Sequence, residues 1–160
     1  MTKTLYLLRH AKSDRPTPEV AIKDHARALS ARGQKAATSL GALFASQIMP
    51  VDRIYCSTAK RTRETFDLIR TGLDNPAVSF RDSLYLSPCD DLIAFIQTIP
   101  EPIKSAMIIG HNPGLHDLAL TLIGRSGKNQ SKMLEKLRTK FPTGGLCVLK
   151  KGNAVLVSTW

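Results

Sequence analysis

Short apolar runs with the length of a β-strand recur along the chain, separated by segments with helical spacing. Leu5–Leu8 is the clearest of these runs, because four consecutive apolar residues are typical of a strand buried on both faces. Three further strands are predicted, at Asp52–Cys56, Ala77–Arg81 and Ser105–Gly110. The pattern predicts a sheet whose strands need cover on both sides.

Segments with a helical repeat of apolar residues lie between these strands. After Ser30, a good N-terminal cap, such residues recur every three or four positions at Ala37, Leu40, Phe44 and Ile48. Four more helices are predicted: from the cap Ser57-Thr58 to about Leu73, from Ser87-Pro88 to about Ile99, over Gly114–Ile123 with Gly124 as its end, and around Met133, Leu134 and Leu137.

Strands that alternate with helices are typical of a parallel sheet with right-handed crossovers. Near the end of the sequence, Leu146–Leu149 and Ala154–Ser158 are joined through Lys151-Gly152-Asn153, which indicates a β-hairpin. We therefore predict an α/β fold, a three-layer helix–sheet–helix sandwich with a mainly parallel sheet and a C-terminal antiparallel hairpin. No linker or repeat divides the sequence, so residues 1–160 are predicted to form a single domain.

The composition is typical of a globular protein, with 42% hydrophobic and 22% charged residues. The apolar runs are too short to cross a bilayer, so we expect no membrane association. The N-terminus lacks the long apolar region and small-residue cleavage site of a signal peptide, which favours a cytoplasmic location. The 3 cysteines show no CxxC spacing, so we expect small buried hydrophobes rather than a disulfide framework or a zinc site.

The net charge is +10, from 23 Lys and Arg residues against 13 Asp and Glu residues. Such an excess favours an anionic partner: a phosphate group, an acidic protein surface or a nucleic acid. Nucleic acid is disfavoured, because no zinc-finger, RNA-recognition or helix-turn-helix signature accompanies the charge. The alternative is a solvated basic surface, for which the stretch Lys128–Lys140 is the clearest case.

Arginine and histidine residues follow three of the predicted strands. Arg9-His10 ends the first strand, Arg61 lies one turn past the second, and His111 follows the fourth. Each alone is a common way to end a strand in solvated residues. Because the carboxyl ends of parallel strands share one rim of the sheet, the four side chains are predicted to meet in one crevice.

Such a group of side chains suits phosphoryl transfer. Two guanidinium groups can grip phosphoryl oxygens with paired hydrogen bonds. The helix N-termini after Ser57 and Asn112 add N–H groups that favour an anion. Neighbouring positive charges lower the pKa of a histidine and keep it neutral, with a lone pair free for nucleophilic attack.

Three ordered stretches resemble the motifs of the histidine phosphatase superfamily: LLRHAKS, SxxxRTxxT with Ser57, Arg61, Thr62 and Thr65, and IIGHNP at Ile108–Pro113. The short length, the pattern Asp24…Arg27…Leu29-Ser30…Gly33 and the turn FPTGG at Phe141–Gly145 are similar to its compact branch. The members of that branch are phosphohistidine phosphatases that act on phosphorylated signalling proteins.

The resemblance implies a role for each matching residue. His10 is the implied nucleophile, which becomes phosphorylated, and Arg9, Arg61 and His111 are implied to bind the phosphoryl oxygens. Ser13 and Asn112 are further candidates for substrate binding. The resemblance implies no metal ion and no cofactor. One departure is Ala11, which stands where the family often has glycine after the catalytic histidine.

A general acid is harder to identify. Asp14, after the first motif, and Asp82, after the third strand, are the candidates, and each is also a plausible surface or capping carboxylate. An alkoxide leaving group needs a proton donor, whereas the imidazole of phosphohistidine, with a reference pKa of about 6.5, leaves without much help. A site without a clear general acid therefore favours a substrate with a P–N bond.

The leading hypothesis is a phosphatase that forms a phosphohistidine intermediate and acts on phosphohistidine in a signalling protein. The first alternative is a phosphatase of small phosphate esters with the same chemistry. The second is a binding module for phosphorylated or nucleic-acid ligands that has lost turnover. A mutase is disfavoured, because no long insertion is available to close over a small substrate.

Overall fold

The computed structural model describes residues 4–17, 21–47, 49–125, 131–150 and 153–157. The strands are β1 Thr4–Arg9, β2 Arg53–Ser57, β3 Ala77–Arg81, β4 Ser105–Gly110, β5 Leu146–Lys150 and β6 Asn153–Val157. The helices are α1 Ala31–Gln47, α2 Lys60–Ile69, α3 Cys89–Gln97, α4 Gly114–Arg125 and α5 Ser131–Thr139, with 3₁₀ turns at Asp24–Ala26, Arg70–Gly72 and Asp82–Leu84.

The strands form one six-stranded sheet in the order β3-β2-β4-β1-β5-β6. The pairs β1–β4, β2–β4 and β2–β3 are parallel, whereas β5 runs antiparallel to both β1 and β6. In the β1–β4 pair, Arg9 lies opposite Gly110, so the residues that follow these strands emerge side by side.

Two hydrophobic clusters cover the two faces of the sheet. Successive side chains of β1 point to opposite faces and so belong to different clusters. Tyr6 and Leu8 pack with Leu40 and Phe44 of α1, together with residues of α2. Leu5 and Leu7 point to the other face, where residues of α3, α4 and α5 pack. The predicted three-layer α/β sandwich with a mainly parallel sheet and an antiparallel C-terminal pair is confirmed.

Several predicted helix boundaries are wrong. Thr58 and Ser57 do not cap α2: the N-cap position is Ala59, and it has no side-chain hydrogen bond. The α-helix ends at Ile69, and a 3₁₀ turn over Arg70–Gly72 takes the place of the predicted last turn up to Leu73. Gly124 lies within α4 instead of ending it.

Some predicted positions lie outside the described residues. These are Ile48, the hairpin residues Lys151-Gly152, the strand end Ser158, and 128–130 of the basic stretch. Within the ranges that are described, no helix is both long enough and apolar enough to cross a membrane.

Candidate active site

His10 follows β1 and is held by two backbone contacts. Its own N–H donates to the Gly110 carbonyl at 3.1 Å, and its Nδ1 lies 2.7 Å from the Ala11 carbonyl oxygen. A carbonyl oxygen can only accept, so Nδ1 carries the proton. The lone pair of the neutral ring is therefore on Nε2.

Arg61, in the first turn of α2, contacts that second nitrogen. Its Nε donates to His10 Nε2 at 3.2 Å. The two terminal nitrogens of the guanidinium donate to Asp24, Nη1 to the backbone oxygen at 2.7 Å and Nη2 to Oδ2 at 3.0 Å. Asp24 Oδ2 also accepts the Tyr85 hydroxyl at 2.7 Å. The Asp24 contacts fix the plane of the buried guanidinium beside the imidazole.

His111 follows β4, and its ring centroid lies 5.2 Å from that of His10. Its Nε2 is 2.8 Å from Ser57 Oγ. Ser57 Oγ also accepts the Ala59 N–H at 3.4 Å, and a hydroxyl can either donate to Nε2 or accept from it. The other ring nitrogen, Nδ1, is a buried atom without a hydrogen-bond partner among the described residues.

Arg9 and His10 are enclosed by the turn Phe141–Gly145. Arg9 Nη1 donates to the Phe141 carbonyl at 2.8 Å. The Gly144 N–H lies 3.1 Å from the Arg9 oxygen and 3.0 Å from the His10 oxygen. Gly144 has a φ of +73°, a conformation that favours glycine. The last motif of the sequence thus orients the side chain and backbone of the first.

The backbone after His10 packs against α1 and α2. The Ala11 N–H donates to Thr65 Oγ1 at 3.0 Å, and a Cβ atom on Gly33 would overlap the Lys12 carbonyl oxygen. Ala11 is fully buried and is not among the described residues other than glycine with a positive φ. Alanine therefore meets the backbone requirement at this position, where the family often has glycine.

The two site histidines are neutral at physiological pH. Burial, with smaller contributions from Arg61, Arg9 and Arg27, lowers the pKa of His10 to about 4 against the opposing hydrogen bond of the Ala11 carbonyl. Burial and then the neighbouring His10 and Arg61 lower the pKa of His111 to about 3.

Asp24 is ionised. The hydrogen bond from Tyr85, followed by those from Arg27 and Arg61, holds the pKa of the Asp24 carboxyl well below its usual range. An ionised carboxylate cannot donate a proton to a leaving group, so Asp24 serves to orient Arg61.

A cavity of about 600 Å³ opens in front of Arg9, His10 and Arg61. Ser13 also lines it, and its Oγ accepts Arg27 Nη2 at 2.7 Å. His111 contacts His10 but is only 3% exposed and is not among the lining residues. None of the described lining residues is acidic.

The remaining candidates lie at the edge of this arrangement. Asn112 Nδ2 donates to the Phe141 carbonyl at 2.9 Å, the oxygen that Arg9 also contacts. Asp82 accepts the Thr58 hydroxyl at 2.6 Å. Asp14 is exposed, and neither it nor Asp82 lines the cavity.

Sequence reasoning missed the partners of the two arginines. Asp24 belongs to a pattern recognised in the sequence, but no spacing in the sequence indicates that its side chain contacts Arg61, 37 positions away. The Phe141 contact to Arg9 is made by a backbone carbonyl, which no side-chain pattern can indicate. Tyr85 contacts the site through Asp24, through the Arg61 guanidinium 5.9 Å from the centre of its ring, and through a perpendicular ring contact with His111.

The cysteines are not part of the site. Burial raises the pKa of Cys56 and of Cys147 to about 12, so both thiols stay protonated. Across the described ranges, no group of three or more His, Cys, Asp and Glu side chains is arranged to hold a metal ion.

Comparison with known proteins agrees with this geometry. The histidine phosphatase superfamily (branch 1) matches residues 5–84. An uncharacterised protein of Mycobacterium leprae is 35% identical over 144 residues, which is 89% of this chain and 86% of the relative.

Two solved structures are similar over nearly their whole length. A candidate phosphohistidine phosphatase SixA from Agrobacterium tumefaciens superposes with a TM-score of 0.85 at 28% identity, covering 99% of this chain and 97% of the other. A candidate SixA from Nakamurella multipartitia gives a TM-score of 0.77 at 30% identity, covering 95% and 86%. This chain therefore belongs to the histidine phosphatase superfamily, in its compact SixA-like branch, and it is a phosphatase.

Proposed function

We propose that the protein removes phosphoryl groups from phosphohistidine in a protein substrate, with His10 as the nucleophile. The observation that carries this proposal is the state of the His10 ring. The Ala11 carbonyl holds the proton on Nδ1, and the pKa of about 4 keeps the ring neutral. Nε2 then has a lone pair in a cavity lined by arginines.

The first step transfers the phosphoryl group to His10. The Nε2 lone pair forms a bond to phosphorus as the P–N bond of the substrate breaks, and the substrate nitrogen keeps the bonding electrons. A substrate ring protonated at its other nitrogen leaves as neutral imidazole. Phosphorylated His10 carries the positive charge, which the Nδ1–H contact to the Ala11 carbonyl stabilises.

The second step releases phosphate. Water attacks phosphorus, the Nε2–P bond breaks, and the His10 ring leaves as neutral imidazole with its proton still on Nδ1. The water proton passes to the departing phosphate. His10 thus returns to its initial state after each cycle.

Charge stabilisation comes from the donors around the ring. Arg61 Nε donates to Nε2 in the free enzyme, and when Nε2 attacks phosphorus this donor turns to the phosphoryl oxygens. Arg9 Nε is a buried donor without a partner among the described residues, and so is His111 Nδ1 when the Ser57 hydroxyl donates to Nε2, the tautomer that we assign. Unsatisfied donors of this kind favour a bound anion. Donors positioned before the reaction are effective because they need no reorganisation.

The absence of an acidic residue among the described lining residues favours a P–N substrate over an alkyl ester. An alkoxide needs a proton at the departing oxygen, and Asp24 is ionised. Asp14 and Asp82 remain candidates for that role. The names of the two similar structures, both candidate phosphohistidine phosphatases, support the same substrate class.

The test compares kcat/KM for a phosphohistidine peptide with that for an alkyl phosphate, with trapping of the phosphoenzyme in a quench without acid. We expect the peptide to be the better substrate and His10→Ala to lose both turnover and the trapped label. His116→Gln is the matched control, because His116 contacts the Leu137 carbonyl outside the cavity. Faster turnover of the alkyl phosphate contradicts the proposed substrate, and label retained in His10→Ala contradicts the proposed nucleophile.

A further inference from the structure

The cavity is much larger than the reaction centre requires. Its volume of about 600 Å³ continues from His10 past Lys12 and Ser13 to the side of α1. A phosphoryl group displaces only a few water molecules, each of which takes about 30 Å³ in the liquid. Most of the space is therefore open to substrate atoms beyond the phosphoryl group.

One face of α1 forms the outer wall. The residues that line it are Arg32, Lys35, Ala36 and Ser39, at the intervals of three, four and seven that place side chains on one side of a helix. Seven residues of helix span about 10 Å. The outer wall is thus as long as about three residues of an extended peptide.

The outer part of the cavity is basic. Lys12, Arg15, Arg32 and Lys35 line it, and none of the four takes part in an ion pair within the described parts of the chain. Arg27, in contrast, is neutralised by Asp24 at 2.8 Å. Four unneutralised cations around one cavity repel each other, and a bound anion relieves that repulsion.

We propose that this outer cavity is a second anion-binding site, which takes Asp or Glu side chains two to four residues from the phosphohistidine of the protein substrate. The inference rests on the proposed function and adds a sequence preference to it. The phosphoryl group lies at His10, and the flanking peptide extends along α1 so that its carboxylates reach Arg32 and Lys35. The exposure of these two side chains makes each contact modest in strength and sensitive to salt.

The experiment uses two phosphohistidine peptides of equal length. One carries Asp or Glu two to four residues from the phosphohistidine, and the other carries Asn or Gln at the same positions. We expect the wild-type enzyme to prefer the acidic peptide in kcat/KM by about 10-fold at low salt, and the preference to shrink as salt is added. In the double variant Arg32→Ala/Lys35→Ala, the ratio between the two peptides should fall to about 1.

The control variant is Arg70→Ala/Lys104→Ala, which removes the same charge. Arg70 follows α2 and Lys104 precedes β4, so both lie at the end of the sheet where the parallel strands begin, away from the cavity at their carboxyl ends. This variant should keep the preference. If both double variants reduce the preference equally, or if Arg32→Ala/Lys35→Ala retains it, the second site is refuted.

Failure of the proposed function has a different signature. If the wild type hydrolyses p-nitrophenyl phosphate but neither peptide, the substrate class is wrong, and the second site is then tested by inhibition. An unphosphorylated acidic hexapeptide should inhibit more strongly than its Asn/Gln counterpart in the wild type but not in Arg32→Ala/Lys35→Ala, and equal inhibition refutes the site. A third outcome concerns small substrates. If hydrolysis of hexane-1,6-diol bisphosphate depends on Arg32 and Lys35, while the enzyme does not distinguish the acidic peptide from its Asn/Gln counterpart, the site serves small bisphosphates and the proposal is overturned.

Discussion

The carbonyl group of Lys12 occupies the space that a side chain on Gly33 would need. The Lys12 oxygen also accepts the Ser30 N–H at 2.9 Å and the Ser30 hydroxyl at 3.0 Å. The first turn of α1 is thereby fixed against the backbone that follows His10. A substitution at position 33 therefore acts on the candidate active site through the Lys12 backbone.

Gly33→Ala should displace the Lys12 backbone and with it the position of His10. We expect a loss of about 1–3 kcal/mol in the free energy of unfolding and a fall in kcat/KM of about 10- to 100-fold. Urea unfolding and steady-state kinetics measure the two effects. The control is Gly124→Ala on α4, where a Cβ meets no atom within 4 Å, so stability should rise by up to about 1 kcal/mol. Full activity in Gly33→Ala would show that the backbone after His10 tolerates the shift.

Arg61→Ala should lower kcat by about 10²–10³-fold, because it removes a donor that points at the reacting nitrogen. The matched control is Arg63→Ala on the same helix, where the guanidinium stacks 4.5 Å from the Phe80 ring and faces away from the cavity. Single-turnover kinetics with an aryl phosphate separate the chemical step from product release. An unchanged rate in Arg61→Ala would remove this residue from the site.

Ser57→Ala should remove the hydrogen bond that holds the His111 ring, because the Ser57 hydroxyl is the described partner of its Nε2. The ring proton then distributes between the two nitrogens, and we expect kcat to fall by about 10-fold, roughly the contribution of one hydrogen bond. Nitrogen chemical shifts of labelled histidine report the tautomer directly, which a loss of packing alone would not change. A variant that keeps the Nδ1–H tautomer would contradict the role assigned to Ser57.

Stability should fall as the solution is acidified below about pH 6.5. The folded protein holds the pKa of His10 at about 4 and that of His111 at about 3, below the reference value of 6.5 for an unfolded chain. The unfolded state therefore takes up protons first, and stability is lost between about pH 6.5 and the folded pKa values. The free energy of unfolding in urea, measured at pH 7 and pH 4.5, should drop more in the wild type than in His10→Gln. Equal drops would show that His10 does not have a lowered pKa.

The sequence predicted the features that depend on strand order. Arg9, Arg61 and His111 were expected to approach His10 because parallel strands share a rim, and the register of Arg9 with Gly110 brings the first and fourth strands together. The apolar runs and the helical repeats between them were sufficient for this, because they indicate which segments are strands and which are helices.

Local competition between hydrogen bonds was harder to predict. Ser57 has the residue type of a helix cap, yet its hydroxyl contacts His111, a residue 54 positions away. Gly124 has the residue type of a helix end, but α4 continues to Arg125. Asp24 lies in a segment without periodicity, so its contact with Arg61 depends on tertiary structure. For Ser57 and Asp24, a long-range contact decides the outcome and no local preference indicates it.

The turn at Phe141–Gly145 contacts Arg9 and His10 from the other end of the sequence. During synthesis, the ribosome completes the first two motifs long before it reaches this turn. A nascent or truncated chain that carries His10 and Arg61 therefore lacks the support that orients Arg9. Assembly of the candidate site therefore requires the late part of the chain to fold back onto the first strand.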